Sequence, residues 1–140
     1  SHDAADPVSY QITKDGLKIG MLTDSGVLSA ENVAALAASH LLVIEANHDP
    51  EMLQRGPYPA FLKRRILGPY GHLSNETTAN SMQDVVSADT QHVLLAHLSE
   101  KNNLPTVAHK VVSQALERLA PSPELAVLRQ TRPMYFSLKS

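Results

Sequence analysis

Histidine and carboxylate side chains occur at several places in this chain where they could bind a metal ion or a phosphate group. Asp24 follows the run LKIGMLT, Glu45 to His48 come where LLVIE ends, and His97 lies near the end of QHVLLAHLS. The chain has seven histidines and no cysteine, so a metal site in it would be built from His, Asp and Glu. Taken singly, an aspartate after a strand is more often a turn or cap residue than a ligand.

A further histidine, His72, lies just before a predicted helix start, with Ser74 as the expected N-cap. The amide groups that begin such a helix favour an anion. We therefore expect Ser74 and Asn75 to bind substrate. His72 is expected to be catalytic, neutralising charge on a phosphate held there or protonating its leaving oxygen. The alternative is that His72 only packs in the turn from Gly71 to Leu73.

The elements that must position these residues alternate between extended and helical patterns. Two extended runs joined by Lys14-Asp15-Gly16 predict a hairpin, since Asp-Gly accommodates positive φ. The order that follows is a helix capped by Ser29, the strand LLVIE, helices at PEMLQRG and PAFLKRRIL, a helix from Ser74 to about Ser87, the strand QHVLLAHLS, a helix from about Pro105 to Leu119, and edge strands ELAVLRQ and MYFSL. This order indicates an α/β layered architecture, in which ligands bind at the carboxyl ends of the parallel strands.

Length and composition limit the functions open to the chain. Its 140 residues predict a single domain. The run LLVIEA is far short of the roughly 20 residues that a membrane span needs, and no secretory signal is visible, so a cytoplasmic location is expected. The net charge of −2 gives no global reason to bind nucleic acid. The basic run Lys63-Arg64-Arg65 could contact a phosphate backbone or form the solvated face of a helix.

The order and surroundings of the polar residues resemble the C-terminal half of the metallo-β-lactamase superfamily, and its exonuclease-like metallohydrolases in particular. These are relatives of the transfer-RNA 3′-processing endonuclease. The segments that carry the resemblance are SHDAADPVSYQI, KIGMLTDSG, VIEANHDPEMLQRGPYPAFLKRRILGPYGHLSNE and LLAHLSEKNN. The resemblance implies the C-terminal half of a four-layer αβ/βα sandwich.

The resemblance also implies a set of site residues and cofactors. His2 would be a ligand of one metal ion, Asp24 the carboxylate that bridges two ions, and His97 a ligand of the second. His72 matches a histidine that lies near the scissile phosphate in the RNA-processing relatives. The implied cofactors are two divalent ions, zinc or sometimes manganese. The implied activity is phosphodiester hydrolysis by a metal-bound hydroxide, as in a nuclease.

One departure concerns the superfamily's first metal motif, His-x-His-x-Asp-His, which does not occur in these 140 residues. We therefore expect residues 1–140 to be a half-domain whose complementary N-terminal half carries that motif. Nucleic acid and a second copy of the chain are further candidate partners, and no membrane contact is expected. A competing hypothesis is a non-catalytic scaffold or binding half-domain that pairs with another polypeptide. A thioester or lactam hydrolase is less favoured, because HLSNE resembles the nucleic-acid-processing branch.

Overall fold

A five-stranded sheet with helices packed against it forms the fold. The computed structural model describes residues 9–140. Along the chain the elements are β1 (Tyr10–Lys14), β2 (Leu17–Leu22), α1 (Ala30–Leu36), β3 (Leu41–Glu45), α2 (Pro50–Arg55), α3 (Ala60–Leu67), α4 (Asn75–Val85), β4 (His92–Ala96), α5 (Pro105–Leu116) and β5 (Glu124–Val127). The strands lie in sequence order, β1-β2-β3-β4-β5. The β1–β2 pair is antiparallel and the other pairs are parallel. The predicted α/β class is confirmed.

The hairpin between β1 and β2 is the one that the sequence predicts. Asp15 and Gly16 have φ angles of 51° and 79°, the two positive values that a tight two-residue hairpin turn requires. Lys14 pairs with Leu17 directly across this turn. Every residue of β1 is exposed, so this strand forms an open edge of the sheet.

The first turns of three helices are capped by side chains. Ser29 Oγ accepts a hydrogen bond from the Asn32 amide at 3.1 Å, and Ser74 Oγ accepts one from the Thr77 amide at 3.1 Å. Asp49 caps α2 in the same way. These contacts satisfy amides that would otherwise lack a helical partner, and they confirm the predicted starts at Ser29 and Ser74.

The hydrophobic core lies between the sheet and the helices α1, α4 and α5. Leu42 and Ile44 from β3 and Val93 and Leu95 from β4 are completely buried there. Leu36, Met82, Val85, Ala108, Val112 and Leu116 cover them from the helices. Burying such side chains is the main stabilising contribution. It fixes β3 and β4 as the central strands, whose carboxyl ends carry the polar residues.

The C-terminal run MYFSL is not a strand, so that prediction was wrong. Residues 133–140 form no β-ladder, and contacts with the side chains of Gln91 and His92 hold the segment instead. The Gln91 side chain donates to the Lys139 carbonyl at 2.6 Å and accepts from the Lys139 amide at 2.8 Å. Pro133 also lacks the amide that a ladder would need. The run ELAVLRQ does supply β5, an edge strand as predicted.

Among residues 9–140, no helix is both long enough and apolar enough to cross a membrane.

Candidate functional site at the carboxyl ends of the strands

A buried carboxylate, that of Glu45, holds the two histidines of the site. Its Oε1 atom lies 2.7 Å from Nδ1 of His72 and 2.7 Å from Nδ1 of His97. Its Oε2 atom accepts hydrogen bonds from the amides of Ser25 and Leu73, each at 3.2 Å. Glu45 therefore ties together the segments that follow β2, precede α4 and follow β4.

The electrostatics of this group follow from those contacts. Burial raises the pKa of Glu45, but the hydrogen bonds from His72 and His97, the charge of His72 and the Leu73 amide lower it, so the pKa lies below its ordinary value. The hydrogen bond to Glu45 raises the pKa of His97, with burial acting in the opposite direction. Glu45 is thus held as a carboxylate although it is fully buried.

Asp24 completes the group from the neighbouring strand end. Its Oδ1 lies 3.6 Å from Nε2 of His97, and the rings of His72 and His97 are 5.2 Å apart. One donor atom from each of Asp24, Glu45, His72 and His97 can be chosen so that all lie within 4.8 Å of one another. Imidazole nitrogens and carboxylate oxygens at this spacing fit a divalent cation such as zinc.

The contacts of Glu45 also decide which ring nitrogen can bind a ligand. Because Nδ1 of both histidines faces Glu45, the neutral rings carry their hydrogen on Nδ1 and their lone pair on Nε2. Histidines that bind metals usually donate the other ring N–H to a carboxylate or carbonyl in this way. The donor set and its hydrogen bonds therefore suit metal binding through Nε2.

Two of the site residues have an uncommon backbone conformation. The φ angles of Asp24 and His97 are 59° and 57°, in the left-handed region that non-glycine residues seldom occupy. His97 directly follows β4 and Asp24 comes two residues after the end of β2, at positions where the chain turns away from the sheet. Such conformations persist only where the surrounding structure stabilises them, here through the contacts that His97 makes with Glu45 and Asp24.

Two glycines allow close backbone packing around the His72 loop, Gly26 where the Asp24 loop meets it and Gly71 where it meets the end of α3. A Cβ atom on Gly26 would collide with the carbonyl oxygen of Gly68 and lie 2.6 Å from that of Pro69. A Cβ atom on Gly71 would collide with the carbonyl oxygens of Ile66 and Arg65. A larger residue at Gly26 would therefore separate the Asp24 and His72 loops, and one at Gly71 would move the His72 loop away from the end of α3.

The predicted anion site at the start of α4 is largely occupied by the protein itself. The Asn75 amide donates to the His48 carbonyl at 2.9 Å, and the Thr77 amide donates to Ser74 Oγ. The Asn75 side chain is buried and exchanges two hydrogen bonds with Asn103, at 2.8 and 2.9 Å. The polar groups of the Asn75 side chain thus serve the packing of α4, and the substrate contact predicted for Asn75 stays a prediction. The contact predicted for Ser74 stays a prediction.

His48 is buried beneath the site and stays outside its donor group. Its side chain is 1% exposed, and its Nε2 has no hydrogen-bond partner among the described residues. Burial lowers its pKa, and the neighbouring His72 lowers it further. His48 is therefore a neutral packing residue at the entry to α2.

The structure brings together three of the predicted site residues, namely Asp24, His72 and His97. The predicted ligand His2 lies outside the described residues. Sequence reasoning placed Glu45 at the strand end but did not assign it a role in the site. A glutamate that ends a buried apolar strand was the available signal, because such a charge needs partners.

Curated relatives of this chain are named as DNA-degrading enzymes. It is 44% identical over 117 residues to exodeoxyribonuclease YycJ of Bacillus anthracis. The aligned residues make up 84% of this chain and 44% of that protein. It is 40% identical over 116 residues to exodeoxyribonuclease WalJ of Streptococcus pneumoniae serotype 2, covering 83% of this chain and 43% of the relative. The chain thus spans less than half the length of these relatives. No protein-family model matches it.

A solved structure of a diphosphatase from the PhnP family can be superposed on this chain with a TM-score of 0.46 and 15% sequence identity. The superposition covers 86% of this chain and 36% of the diphosphatase chain. The sequence matches confirm the resemblance to the exonuclease-like branch. Over most of its length the chain is therefore similar to part of proteins named exodeoxyribonucleases.

Proposed function

We propose that the protein containing this chain is a metal-dependent hydrolase that cleaves phosphodiester bonds in DNA. The observation that carries the proposal is the buried Glu45 carboxylate, which holds Nδ1 of His72 and His97, with Nε2 of His97 lying 3.6 Å from Asp24. The relatives named exodeoxyribonuclease support DNA as the substrate. A hydrolase of this kind needs metal ligands and a proton donor at one place, and these residues can supply both.

The proposed cofactors are two divalent ions, zinc or else manganese. Asp24 is proposed to lie between them, because a carboxylate has two oxygens that can each bind an ion. His97 and His2 are proposed as ligands to separate ions. When bound, such ions polarise a phosphoryl oxygen and provide a nucleophile near neutral pH.

His72 is proposed to act on the substrate. Its Nδ1 donates to Glu45, so in the protonated imidazolium form Nε2 carries the proton that can be given to the leaving oxygen. The same Nε2 could bind a metal ion, since His72 belongs to the group of donors within 4.8 Å. The two roles differ in what the loss of His72 does to the metal content.

The remaining ligands are proposed to come from a segment with the pattern His-x-His-x-Asp-His, as the resemblance implies. Two four-coordinate ions that share one ligand need about seven donor groups, and the described residues bring together four. Strand β1 also leaves Tyr10 and Ile12 more than 60% exposed. An edge strand with exposed apolar residues is a surface against which further chain can pack. That segment could belong to the same polypeptide or to a partner subunit.

The experiment that tests the function compares Asp24→Ala and His72→Ala in the full-length protein, with Asp89→Ala, at an exposed turn, as the control. Metal content is measured together with hydrolysis of single-stranded DNA. We expect Asp24→Ala to lose metal and activity. We expect His72→Ala to keep its metal and lose about a hundredfold to ten-thousandfold in turnover, the usual contribution of general acid catalysis.

The outcomes separate the possible roles. Loss of metal in His72→Ala would make His72 a ligand. Unchanged turnover would leave only the packing role in the turn. Full activity and full metal content in Asp24→Ala would show that Asp24 is a turn residue and would overturn the proposed site. No metal and no hydrolysis in the wild-type protein would favour the non-catalytic half-domain.

A further inference from the structure

A cavity of about 580 Å³ opens beside His72 and His97. This volume lies within the range of about 300–1,000 Å³ that is usual for small-molecule sites. The segment between α2 and α3, helix α3 with the turn that follows it, and the loop after β4 form the remaining walls. The tyrosine and charged side chains that these segments contribute to the cavity wall are Tyr58, Arg65, Tyr70, Glu100 and Lys101.

Two tyrosines form aromatic walls of this cavity. Tyr70 is 70% exposed and precedes His72 by two residues, so its ring lies close to the candidate site. Tyr58 is half-buried, and the Lys101 ammonium lies 5.8 Å from the centre of its ring. Tyr58 is thus already covered by a cation, whereas Tyr70 presents most of its ring to solvent.

The charges around the cavity favour an anion. Arg65 and Lys101 contribute two positive charges and Glu100 one negative charge, while the chain as a whole carries −2. The cavity is therefore locally positive on a chain with a net negative charge. Aromatic rings beside positive side chains are the combination that single-stranded nucleic acids bind, through base stacking and phosphate contacts.

We propose that this cavity is a subsite for one unpaired nucleotide of a DNA strand, next to the phosphodiester bond that is cleaved. The inference rests on the proposed function and adds the form of the substrate. The base stacks on Tyr70, and Lys101 and Arg65 lie near its phosphates. Every base has a stacking face, so the subsite accepts all four bases. A base inside a duplex cannot present that face, so the strand must be unpaired at this position.

The experiment uses the full-length protein loaded with its metal and the variant Tyr70→Ala. Turnover is measured on a single-stranded oligodeoxynucleotide, on the same oligonucleotide with abasic residues, and on bis(p-nitrophenyl) phosphate. Equilibrium binding of both oligonucleotides is measured with a chelator present, so that cleavage does not interfere. The control variants are Tyr70→Phe, which keeps the ring, and Tyr135→Ala, which removes a 91% exposed tyrosine that does not line the cavity.

We expect Tyr70→Ala to weaken binding and raise KM for the intact oligonucleotide by about 5- to 150-fold, the usual contribution of one stacked base. Hydrolysis of bis(p-nitrophenyl) phosphate and binding of the abasic strand should stay at the wild-type level, and both control variants should resemble the wild type. Equal losses on the intact and abasic strands, or no loss on either, would overturn the subsite.

Failure of the proposed function would look different. A wild-type protein that hydrolyses none of the three substrates contradicts the phosphodiesterase. The binding measurement would still decide the subsite, since a preference for the intact strand that depends on Tyr70 supports it and its absence refutes it.

Discussion

At the scale of single residues, the site depends on the negative charge of Glu45, whose burial is unfavourable in free energy. Glu45 is completely buried, and an unpaired carboxylate there would cost several kcal/mol. Two imidazole contacts at 2.7 Å and two amide contacts at 3.2 Å offset that cost. The same contacts fix both rings. Folding and construction of the site therefore depend on one side chain.

His48 gives a prediction about pH at this scale. Its pKa is lowered by burial, so the folded protein takes up this proton less readily than the unfolded chain. As pH falls below about 6.5, the unfolded chain binds the proton first and stability decreases. We expect His48→Leu, which removes this group, to lose less stability than the wild type between pH 7 and pH 5. Urea unfolding at a series of pH values measures the difference.

The matched control for that prediction is His109→Leu, since His109 is exposed on α5. Its stability should follow the wild-type pH dependence. Parallel curves for His48→Leu and the wild type would show that His48 does not titrate differently in the folded state.

At the scale of elements, the sequence predicted where the site residues stand but missed the contacts that assemble them. Asp24 and His97 were predicted at strand ends because apolar runs and their order indicate a parallel sheet. The role of Glu45 was missed, since its partners His72 and His97 lie 27 and 52 residues further along the chain. Of the amides expected to be open at the start of α4, that of Asn75 donates to the His48 carbonyl, a contact with another loop that no local pattern reveals.

The close packing of Gly71 against the end of α3 gives a prediction for Gly71→Ala. The new methyl group would collide with the carbonyl oxygens of Ile66 and Arg65, so the turn that carries His72 must move. Overpacking of this kind costs about 1–3 kcal/mol. We expect lower stability, lower metal content and lower activity in the full-length protein, measured by thermal unfolding, metal analysis and turnover.

Gly16→Ala is the control that separates stability from site geometry. Gly16 has open space around it but a φ of 79°, so alanine there strains the hairpin at a cost of the order of 1 kcal/mol. Its metal content should match the wild type. If Gly71→Ala also retained full metal content, the close packing of Gly71 against the end of α3 would not be needed to position His72.

At the scale of the whole molecule, the described residues form a sheet with one open edge and an incomplete set of ligands. Strand β1 is exposed along its length, and the curated relatives are more than twice as long as the matched segment. The α/β class was predictable because the strand and helix patterns are strongly periodic. The conformation of MYFSL was not, since the contacts of this run and of Lys139 are with the distant side chains of His92 and Gln91.

The last prediction concerns metal binding by residues 1–140 alone. Of the four donors in the group, Glu45 already accepts hydrogen bonds from both histidines. The proposed ligands within this chain are then His2, Asp24 and His97, which must serve two ions, so each ion would stay mostly hydrated. Tight binding requires a nearly complete ligand shell. We therefore expect this chain to bind zinc or manganese weakly in calorimetric titration, and tightly once a segment carrying His-x-His-x-Asp-His is joined to it or added as a partner.

Asp24→Ala in the joined protein is the control, because it should remove the gain in affinity if Asp24 lies between the ions. Removing that carboxylate leaves two cations whose repulsion is less compensated. Tight binding of two zinc ions by residues 1–140 alone would contradict the requirement for a complementary segment. A joined protein that binds no more tightly than this chain would show that the remaining ligands come from elsewhere.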